Sequence, residues 1–226
     1  MIYLSLAIAP VVIILFSIYI SDSYNREPIG LLLLTLFAGM LAVIPVLIAG
    51  VVLSVFEGFF YSKVDLAFFQ SFIQAGFIEE LFKFLAVLLL IWRNKNFDEK
   101  YDGIVYAVFV SMGFALVENI LYVFGYGMGT GIIRAFTAVP AHAIFGISMG
   151  YYLGLAKFKP SRRSTYLALA FIVPWMLHGF YDFILFLEID WLLIIFVIYL
   201  IFLYIFGLNR IIKLYKTKKQ IIYKSN

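Results

Sequence analysis

Seven long apolar stretches constrain the fold of this chain more than any other feature of its sequence. A helix needs about 20 apolar residues to cross the hydrocarbon core of a membrane, and most of the stretches reach that length. Connectors rich in Gly, Pro, Ser or charge separate them, for example SDSYNREP and RNKNFDEKYD. We therefore predict an all-α fold, a polytopic transmembrane helix bundle with about seven spans at residues 2–20, 29–55, 67–92, 103–124, 132–156, 165–187 and 191–208.

The composition agrees with a membrane bundle that has no separate soluble domain. Apolar residues make up 65% of the chain, only 13% are charged, and the mean hydropathy is +1.04, whereas soluble domains are about 25% charged. We expect one membrane domain over residues 1–208 and a basic tail over 209–226, with the first apolar stretch retained as a span. The chain has no cysteine, which excludes disulfides, thiolate metal ligands and a cysteine nucleophile.

The distribution of lysine and arginine predicts the orientation in the membrane. With seven spans, fourteen of the seventeen basic residues fall on one side, and only Lys63 and Arg134 fall on the other. The N-terminus is therefore predicted to lie outside and the C-terminus in the cytoplasm, in a multi-pass protein of the cell membrane. The net charge of +4 then reflects this topology and the anionic lipid bilayer, so no nucleic-acid partner is predicted.

Ionisable side chains inside the predicted spans are the second informative feature. Each charge at the bilayer centre costs roughly 2.5–3.5 kcal/mol on insertion scales, so several of them need one another as partners. Four consecutive spans carry such residues: Glu79, Glu80 and Lys83 in the third, Glu118 beside Asn119 in the fourth, His142 in the fifth, and His178 and Asp182 in the sixth.

Helical spacing and depth both bring these residues together. Glu79 and Lys83 are four residues apart, as are His178 and Asp182, so each pair shares one helix face. Counting about 1.5 Å of rise per residue, the polar residues of all four spans fall between the midplane and the outer leaflet. The sequence therefore predicts one shared polar layer at that depth.

Several functions use such a layer. A buried carboxylate can act as general base toward a water molecule, and a histidine can stabilise an oxyanion or carry a proton. The letters GISMG at residues 146–150 fit Gly-x-Ser-x-Gly, but they lie inside a predicted helical span and not at the strand-to-helix turn that exposes such a nucleophile, and no HExxH motif is present. Hydrolysis without a covalent intermediate is then favoured. Three alternatives stay open: a His₂Glu zinc site, charge pairs that only hold helices together, and a non-enzymatic signalling factor or ion-coupled transporter. Lys83 beside Glu79 argues against the metal.

Four segments of the sequence resemble the PrsW family of bacterial intramembrane proteases. They are GFIEELFKF, DEKYDGIVYAVFVSMGFALVENILY, RAFTAVPAHAIFGISMGYYLG and VPWMLHGFYDFIL. The combination of EExxK, FxxxEN, a lone membrane histidine and HGxxD makes the resemblance specific. It extends over nearly the whole chain. Such proteins are similar to a wider superfamily that holds type II CAAX prenyl proteases and the APH subunit of γ-secretase.

The resemblance implies a function. It implies a glutamate-activated water and site-1 cleavage of a membrane-anchored anti-sigma factor on its extracytoplasmic side. A second protease would then act, releasing an extracytoplasmic-function sigma factor under envelope or antimicrobial-peptide stress. No cofactor is expected, zinc being the alternative, and no oligomeric state is predicted.

The resemblance also implies roles for individual residues. Glu79 and Glu80 match the paired glutamates, and His178 matches the histidine of the last motif. Glu118 stands where the prenyl proteases carry histidine, so His142 is expected to supply that imidazole from another helix. Either Glu79 or Glu80 is then the base, with His178 and His142 as oxyanion or proton partners. The expected supporting residues are Lys83, Glu118, Asn119 and Asp182.

Overall fold

The computed structural model describes residues 2–22 and 26–225, with side chains as far as residue 214, and these residues form helices without any strand. The helices are α1 (Ile2–Ser21), α2 (Ile29–Ser54), α3 (Lys63–Phe68), a π-helix (Phe69–Phe77), α4 (Ile78–Ile91), α5 (Asp102–Tyr126), α6 (Met128–Phe136), α7 (Ala138–Phe158), α8 (Arg163–Phe186) and α9 (Leu192–Ser225). Short 3₁₀ turns lie at Glu57–Phe59 and Pro160–Arg162.

The predicted multi-pass helical bundle is confirmed. Six helical stretches of the described chain are long and apolar enough to cross a membrane. The seventh is the continuous helical segment 63–91, formed by α3, the π-helix and α4. It differs from the other six because it carries Glu79, Glu80 and Lys83 within one turn and a half. These charges separate it from the six apolar stretches, although the apolar run over 67–92 was predicted as a span. The predicted orientation of the bundle stays a prediction.

The predicted fifth span, 132–156, lies within the helical stretch Met128–Phe158, which is long and apolar enough to cross a membrane. The backbone breaks at Thr137 (φ −121°, ψ −77°), which separates the short helix α6 from α7. Gly127 ends α5 with φ +89°, a left-handed conformation that glycine adopts at little cost. The last helix continues beyond residue 208, so the predicted boundary between membrane domain and tail is not marked by a helix end, and the tail's side chains after 214 lie outside the described residues.

Helix α5 lies at the centre of the bundle, between α2 and α7, and its residues 102–115 are all buried. The backbones of α2 and α5 approach each other at two glycines. A Cβ atom on Gly39 would lie 1.9 Å from the carbonyl oxygen of Val110, and one on Gly113 would lie 1.9 Å from that of Leu36. Small residues permit this close approach of membrane helices. The contact fixes α5 against α2, and α5 also packs against α4 and α7, which carry polar residues.

A buried carboxylate lies just before α2, away from the polar residues of the spans. Glu27 is 4% exposed and accepts a hydrogen bond from the hydroxyl of Tyr106 on α5. The pKa of Glu27 is raised from 4.5 to about 7: burial is the largest cause, the hydrogen bonds with Tyr106 and Asp102 oppose it, and the nearby Asp22 and Asp98 add to the rise. The folded protein therefore favours the uncharged form of this carboxyl group.

The α2–α5 contact predicts that two glycines of α5 differ in their tolerance of substitution by alanine. Gly113→Ala should destabilise the protein by about 1–3 kcal/mol or more, because the new methyl group meets a backbone carbonyl that cannot move aside. Gly125→Ala is the matched control, since no atom lies within 4 Å of its Cβ position. Thermal unfolding of the detergent-purified proteins measures the difference, and equal melting temperatures for the two variants would contradict this packing.

Glu27 predicts a pH dependence of stability. Between pH 4.5 and about pH 7 the unfolded carboxyl loses its proton while the folded one keeps it, so this group's contribution to stability falls as the pH rises through that window. Glu27→Gln keeps an acceptor for Tyr106 and removes the titration. The melting temperature of the variant, relative to wild type, should therefore be higher at pH 8 than at pH 5. Parallel pH profiles of the two proteins would show that Glu27 is not buried in this way.

Candidate active site

The π-helix Phe69–Phe77 leads directly into α4 and places Glu79 and Glu80 in the first turn of that helix. Its i→i+5 hydrogen bonds make it wider than an α-helix, and such segments are rare and often found at functional sites. Glu79 and Glu80 are 9% and 0% exposed. The change of helix type therefore comes immediately before two buried carboxylates.

Close contact between the π-helix and α8 brings the last histidine to this point. A Cβ atom on Gly76 would lie 3.1 Å from the backbone nitrogen of Gly179. The indole Nε1 of Trp175 donates a hydrogen bond to the carbonyl oxygen of Phe72 at 2.6 Å. Both contacts fix α8 against the π-helix, so His178, between Trp175 and Gly179, faces the start of α4.

Lys83 is the centre of the polar cluster. Its ammonium Nζ lies 2.8 Å from Glu80 Oε1, 3.2 Å from Glu79 Oε2 and 3.1 Å from His142 Nδ1. The side chain is fully buried and its Nζ also lies 4.2 Å from the centre of the Phe114 ring. A lysine ammonium has three hydrogens, and each of them has an acceptor here. The Glu79–Lys83 and Glu80–Lys83 pairs predicted from helical spacing are confirmed.

The lysine sets the tautomer of His142. Because Lys83 donates to Nδ1, that nitrogen accepts and the ring hydrogen lies on Nε2. The Nε2 atom is 2.7 Å from Glu118 Oε2, so it donates to this carboxylate. The fourth and fifth predicted spans are thereby joined to the third through one imidazole ring.

Arg134 on α6 completes the far side of Glu118, and the sequence analysis did not assign it to the site. Its Nη2 lies 2.9 Å from Glu118 Oε2, its Nε donates to Asn119 Oδ1 at 3.0 Å, and its guanidinium lies 3.9 Å above the Tyr122 ring. The sequence contains a signal for this contact. Asn119 lies eight residues before the turn at Gly127 and Arg134 lies seven residues after it, so a hairpin at Gly127 brings the two side chains to the same height.

Asn119 also joins two helices. Its Nδ2 donates to the carbonyl oxygen of Ala7 on α1 at 3.1 Å, while its Oδ1 accepts from Arg134. The side chain is fully buried and lies behind Glu118 relative to the histidines. Its observed contacts are those of a helix–helix hydrogen bonder that fixes Arg134.

His178 lies between carboxylates. Its Nδ1 is 3.0 Å from Glu80 Oε1, and its Nε2 is 3.2 Å from Asp182 Oδ2 and 3.9 Å from Glu79 Oε2. The ring stacks on Phe145, with centroids 4.9 Å apart. A carboxylate oxygen therefore lies within hydrogen-bond distance of each ring nitrogen. The predicted His178–Asp182 pair is confirmed, and all eight residues singled out from the sequence lie in one connected network.

A cavity of about 70 Å³ opens beside this network, which is enough for water. Glu79 lines it, whereas Glu80 and Lys83 do not. The two adjacent glutamates therefore have different environments: one faces the cavity, and the other faces a lysine and a histidine. The polar lining residues are Glu79, Glu118, Tyr122, Arg134, His142, His178, Tyr181 and Asp182.

Three side chains of the cluster fit a metal ion by type and spacing. Glu79, His142 and His178 each offer one ligand atom, and these atoms lie within 4.8 Å of one another. This is the His₂Glu set of many zinc hydrolases, and Glu80 at His178 Nδ1 supplies the outer carboxylate that such histidines usually have. Lys83 competes for the same atoms, since it already donates to Glu79 and to His142 Nδ1.

A helical membrane bundle with a carboxylate, two histidines and a small polar cavity at its centre has the construction of an intramembrane hydrolase. Comparison with known proteins agrees. The sequence model of the family described as "PrsW family intramembrane metalloprotease" matches residues 27–208. The chain belongs to the PrsW family of intramembrane proteases, and is a multi-pass membrane protein.

Three relatives, each called Protease PrsW, illustrate the similarity. The protein of Bacillus subtilis (strain 168) is 38% identical over 211 residues, which cover 92% of this chain and 93% of the relative. That of Clostridioides difficile (strain 630) is 38% identical, covering 96% and 93%. That of Oceanobacillus iheyensis is 41% identical, covering 80% and 82%. No solved structure matches the chain.

The position of Lys83 predicts that its charge holds the bundle together. Lys83→Met keeps the length of the side chain but leaves two buried carboxylates without their cation, which should cost about 3–5 kcal/mol. The matched control is Lys63→Met, which removes the exposed Lys63–Glu188 pair (3.1 Å) and should cost less than about 1 kcal/mol. Thermal unfolding in detergent compares them, and similar losses for both variants would contradict the central position of Lys83.

Proposed function

We propose that this protease hydrolyses a peptide bond in the membrane segment of its substrate, with Glu79 as the base that activates water. One observation supports this choice between the two glutamates. Glu79 lines the water-sized cavity, whereas Glu80 is 0% exposed and accepts hydrogen bonds from Lys83 and His178. A base must reach a water molecule, and Glu80 instead positions the lysine and the histidine.

The reaction follows from the cavity lining. Glu79 takes a proton from water as the resulting hydroxyl adds to the scissile carbonyl carbon. Negative charge develops on the carbonyl oxygen, and N–H donors that line the cavity stabilise it. The available donors are the Arg134 guanidinium, which lies beside Glu118, and His178 Nε2, which lies beside Asp182. The tetrahedral intermediate collapses as His178 gives its proton to the leaving nitrogen, which breaks the C–N bond. No covalent intermediate forms.

His142 and Asp182 support these steps. Asp182 accepts from His178 Nε2, which holds the ring in place beside the cavity. His142 lines the same cavity and is fixed between Lys83 and Glu118, so its orientation is set before substrate enters. Such fixed dipoles lower the barrier because they need no reorganisation during the reaction.

A zinc-dependent reaction is the second candidate, supported by the spacing of Glu79, His142 and His178 and by the word metalloprotease in the family description. When bound, a zinc ion would polarise the carbonyl group and supply an activated water. Lys83 would then have to release His142 Nδ1 and Glu79. The ammonium already neutralises the charge that a metal would neutralise, so the metal-free glutamate reaction is the proposal.

The proposed substrate is a membrane-anchored anti-sigma factor, cut at site 1 on its extracytoplasmic side so that an extracytoplasmic-function sigma factor is released under envelope stress. Two considerations support it: the motif resemblance, and the depth of the polar layer in the outer half of the bilayer under the predicted orientation. Membership of a protease family favours hydrolysis over the transporter and signalling alternatives.

The two glutamates should respond differently to substitution. Glu79→Gln should lower cleavage of a co-expressed anti-sigma factor by about 10²–10⁴-fold, the contribution of a general base, with little change in melting temperature. Glu80→Gln should lower both cleavage and melting temperature, because Lys83 and His178 lose a charged partner. Cleavage is followed by immunoblot, at equal membrane abundance of each variant. Retained activity in Glu79→Gln together with loss in Glu80→Gln would reverse the assignment.

The metal question has its own measurement. Purified active protein should contain less than one-tenth equivalent of zinc by mass spectrometry, and a chelator should leave its cleavage rate unchanged. His142→Ala should likewise leave the metal content at that level. Stoichiometric zinc that is lost in His142→Ala, with activity restored by added zinc, would replace the glutamate reaction by the metal-dependent one.

A further inference from the structure

A groove on the lipid-facing surface leads to the catalytic cavity. It has a volume of about 560 Å³, within the range of binding sites for small ligands and short peptide stretches. It lies between α2, the π-helix, the start of α4 and the end of α8. Its lining residues are Val46, Leu47, Gly50, Val51, Gln70, Gln74, Ala75, Glu79 and Phe186.

The groove and the cavity are adjacent. Ala75, Glu79 and Phe186 line both of them, so the proposed base stands where the two spaces meet. A second surface groove, of about 680 Å³ between α1, α6 and the start of α7, shares no lining residue with the cavity. Of these two grooves, only the one between α2, the π-helix and α8 therefore borders Glu79.

Two amide side chains distinguish the groove that reaches Glu79. Gln70 and Gln74 are half-buried and one helical turn apart on the π-helix, in a groove whose other residues are apolar except for Glu79. Gln74 Nε2 reaches the Gly50 carbonyl oxygen only at 3.4 Å, and no side-chain hydrogen bond joins Gln70 to another residue of the described chain. Each amide thus has donor and acceptor capacity facing the groove.

A substrate helix must unwind before a protease can cut it, and unwinding leaves its backbone N–H and C=O groups without hydrogen-bond partners. In hydrocarbon every free backbone N–H and C=O costs several kcal/mol unless it finds a partner. An amide side chain offers two donors and one acceptor, which suits an extended backbone. Gln70 and Gln74 are the groups of this groove that can bind such a backbone before it reaches Glu79.

We propose that the groove between α2, the π-helix and α8 is the lateral entry for the transmembrane segment of the substrate, and that Gln70 and Gln74 bind its unwound backbone. This proposal rests on the proposed function. The substrate then arrives as a single apolar membrane segment, locally extended, which passes Gln70 and Gln74 on its way to Glu79.

Cysteine cross-linking tests the route, because the chain has no cysteine of its own. In a Glu79→Gln background, Leu47→Cys and Val51→Cys place a thiol in the entry groove, and Ile13→Cys and Ile132→Cys place one in the other groove. All four positions are exposed. The probe is an anti-sigma factor with one cysteine in its membrane segment. We expect at least tenfold more disulfide-linked complex at residues 47 and 51; equal or greater yield at 13 and 132 would overturn the route.

Kinetics test the amides. Gln70→Leu and Gln74→Leu should raise KM for the anti-sigma factor at least fivefold with kcat changed less than twofold, since substrate binding and not the chemical step is affected. Ser5→Ala, in the other groove, is the matched control and should change neither. Unchanged KM in both glutamine variants, at wild-type melting temperature, would overturn their role.

The outcomes separate the two proposals. If the wild-type protein leaves the anti-sigma factor intact, the proposed function fails, and the entry fails with it. If the wild type cleaves and Glu79→Gln does not, the proposed function stands. The entry is then judged alone, by the position of the cross-links and by the two glutamine variants.

Discussion

The ammonium group of Lys83 is the interaction on which the centre of this protein depends. It lies fully buried in a membrane-spanning helical segment and binds Glu79, Glu80 and His142 at 2.8–3.2 Å. Without it, two carboxylates one residue apart would face each other's charge in a medium that screens poorly. With it, one carboxylate is fixed and the other is left beside a cavity, and the tautomer of His142 is determined.

This arrangement gives adjacent identical residues different chemistry. Glu80 lies between a lysine and a histidine, while Glu79 shares the lysine and faces the cavity. The difference arises from helix geometry, since neighbouring residues point about 100° apart around a helix. Glu79 and Glu80 of this chain are therefore not equivalent in their surroundings.

Much of the site follows from the sequence. Helical spacing gave the pairs of Lys83 with the glutamates and of His178 with Asp182, and matching depth on four spans predicted that they meet. Arg134 was missed because it was counted only as a basic residue of the outer side, although α6 places it beside Glu118. The π-helix was also missed, since residues 69–77 have no composition that separates a π-helix from an α-helix. Both depend on tertiary contacts that a periodic pattern does not contain.

The predicted fold was correct in class and incomplete in detail for a similar reason. Six helical stretches have few enough charges to be recognised as spans by composition, whereas the third predicted span, 67–92, carries Glu79, Glu80 and Lys83 within a few residues and is recognised only by the length of its apolar run. The break at Thr137 lies within an apolar run, and a local backbone change there has no hydropathy signal. Functional residues are where the rules of membrane composition are least obeyed.

The charged segment has a consequence for biogenesis. Lys83 can bind Glu79 and Glu80 as soon as their helix forms, since they are only three and four residues away. The remaining partners arrive much later during synthesis: His142 is 59 residues beyond Lys83, and His178 is 98 residues beyond Glu80. The segment therefore enters the membrane with one uncompensated negative charge. The full set of hydrogen-bond partners around these charges therefore exists only after α7 and α8 have been synthesised.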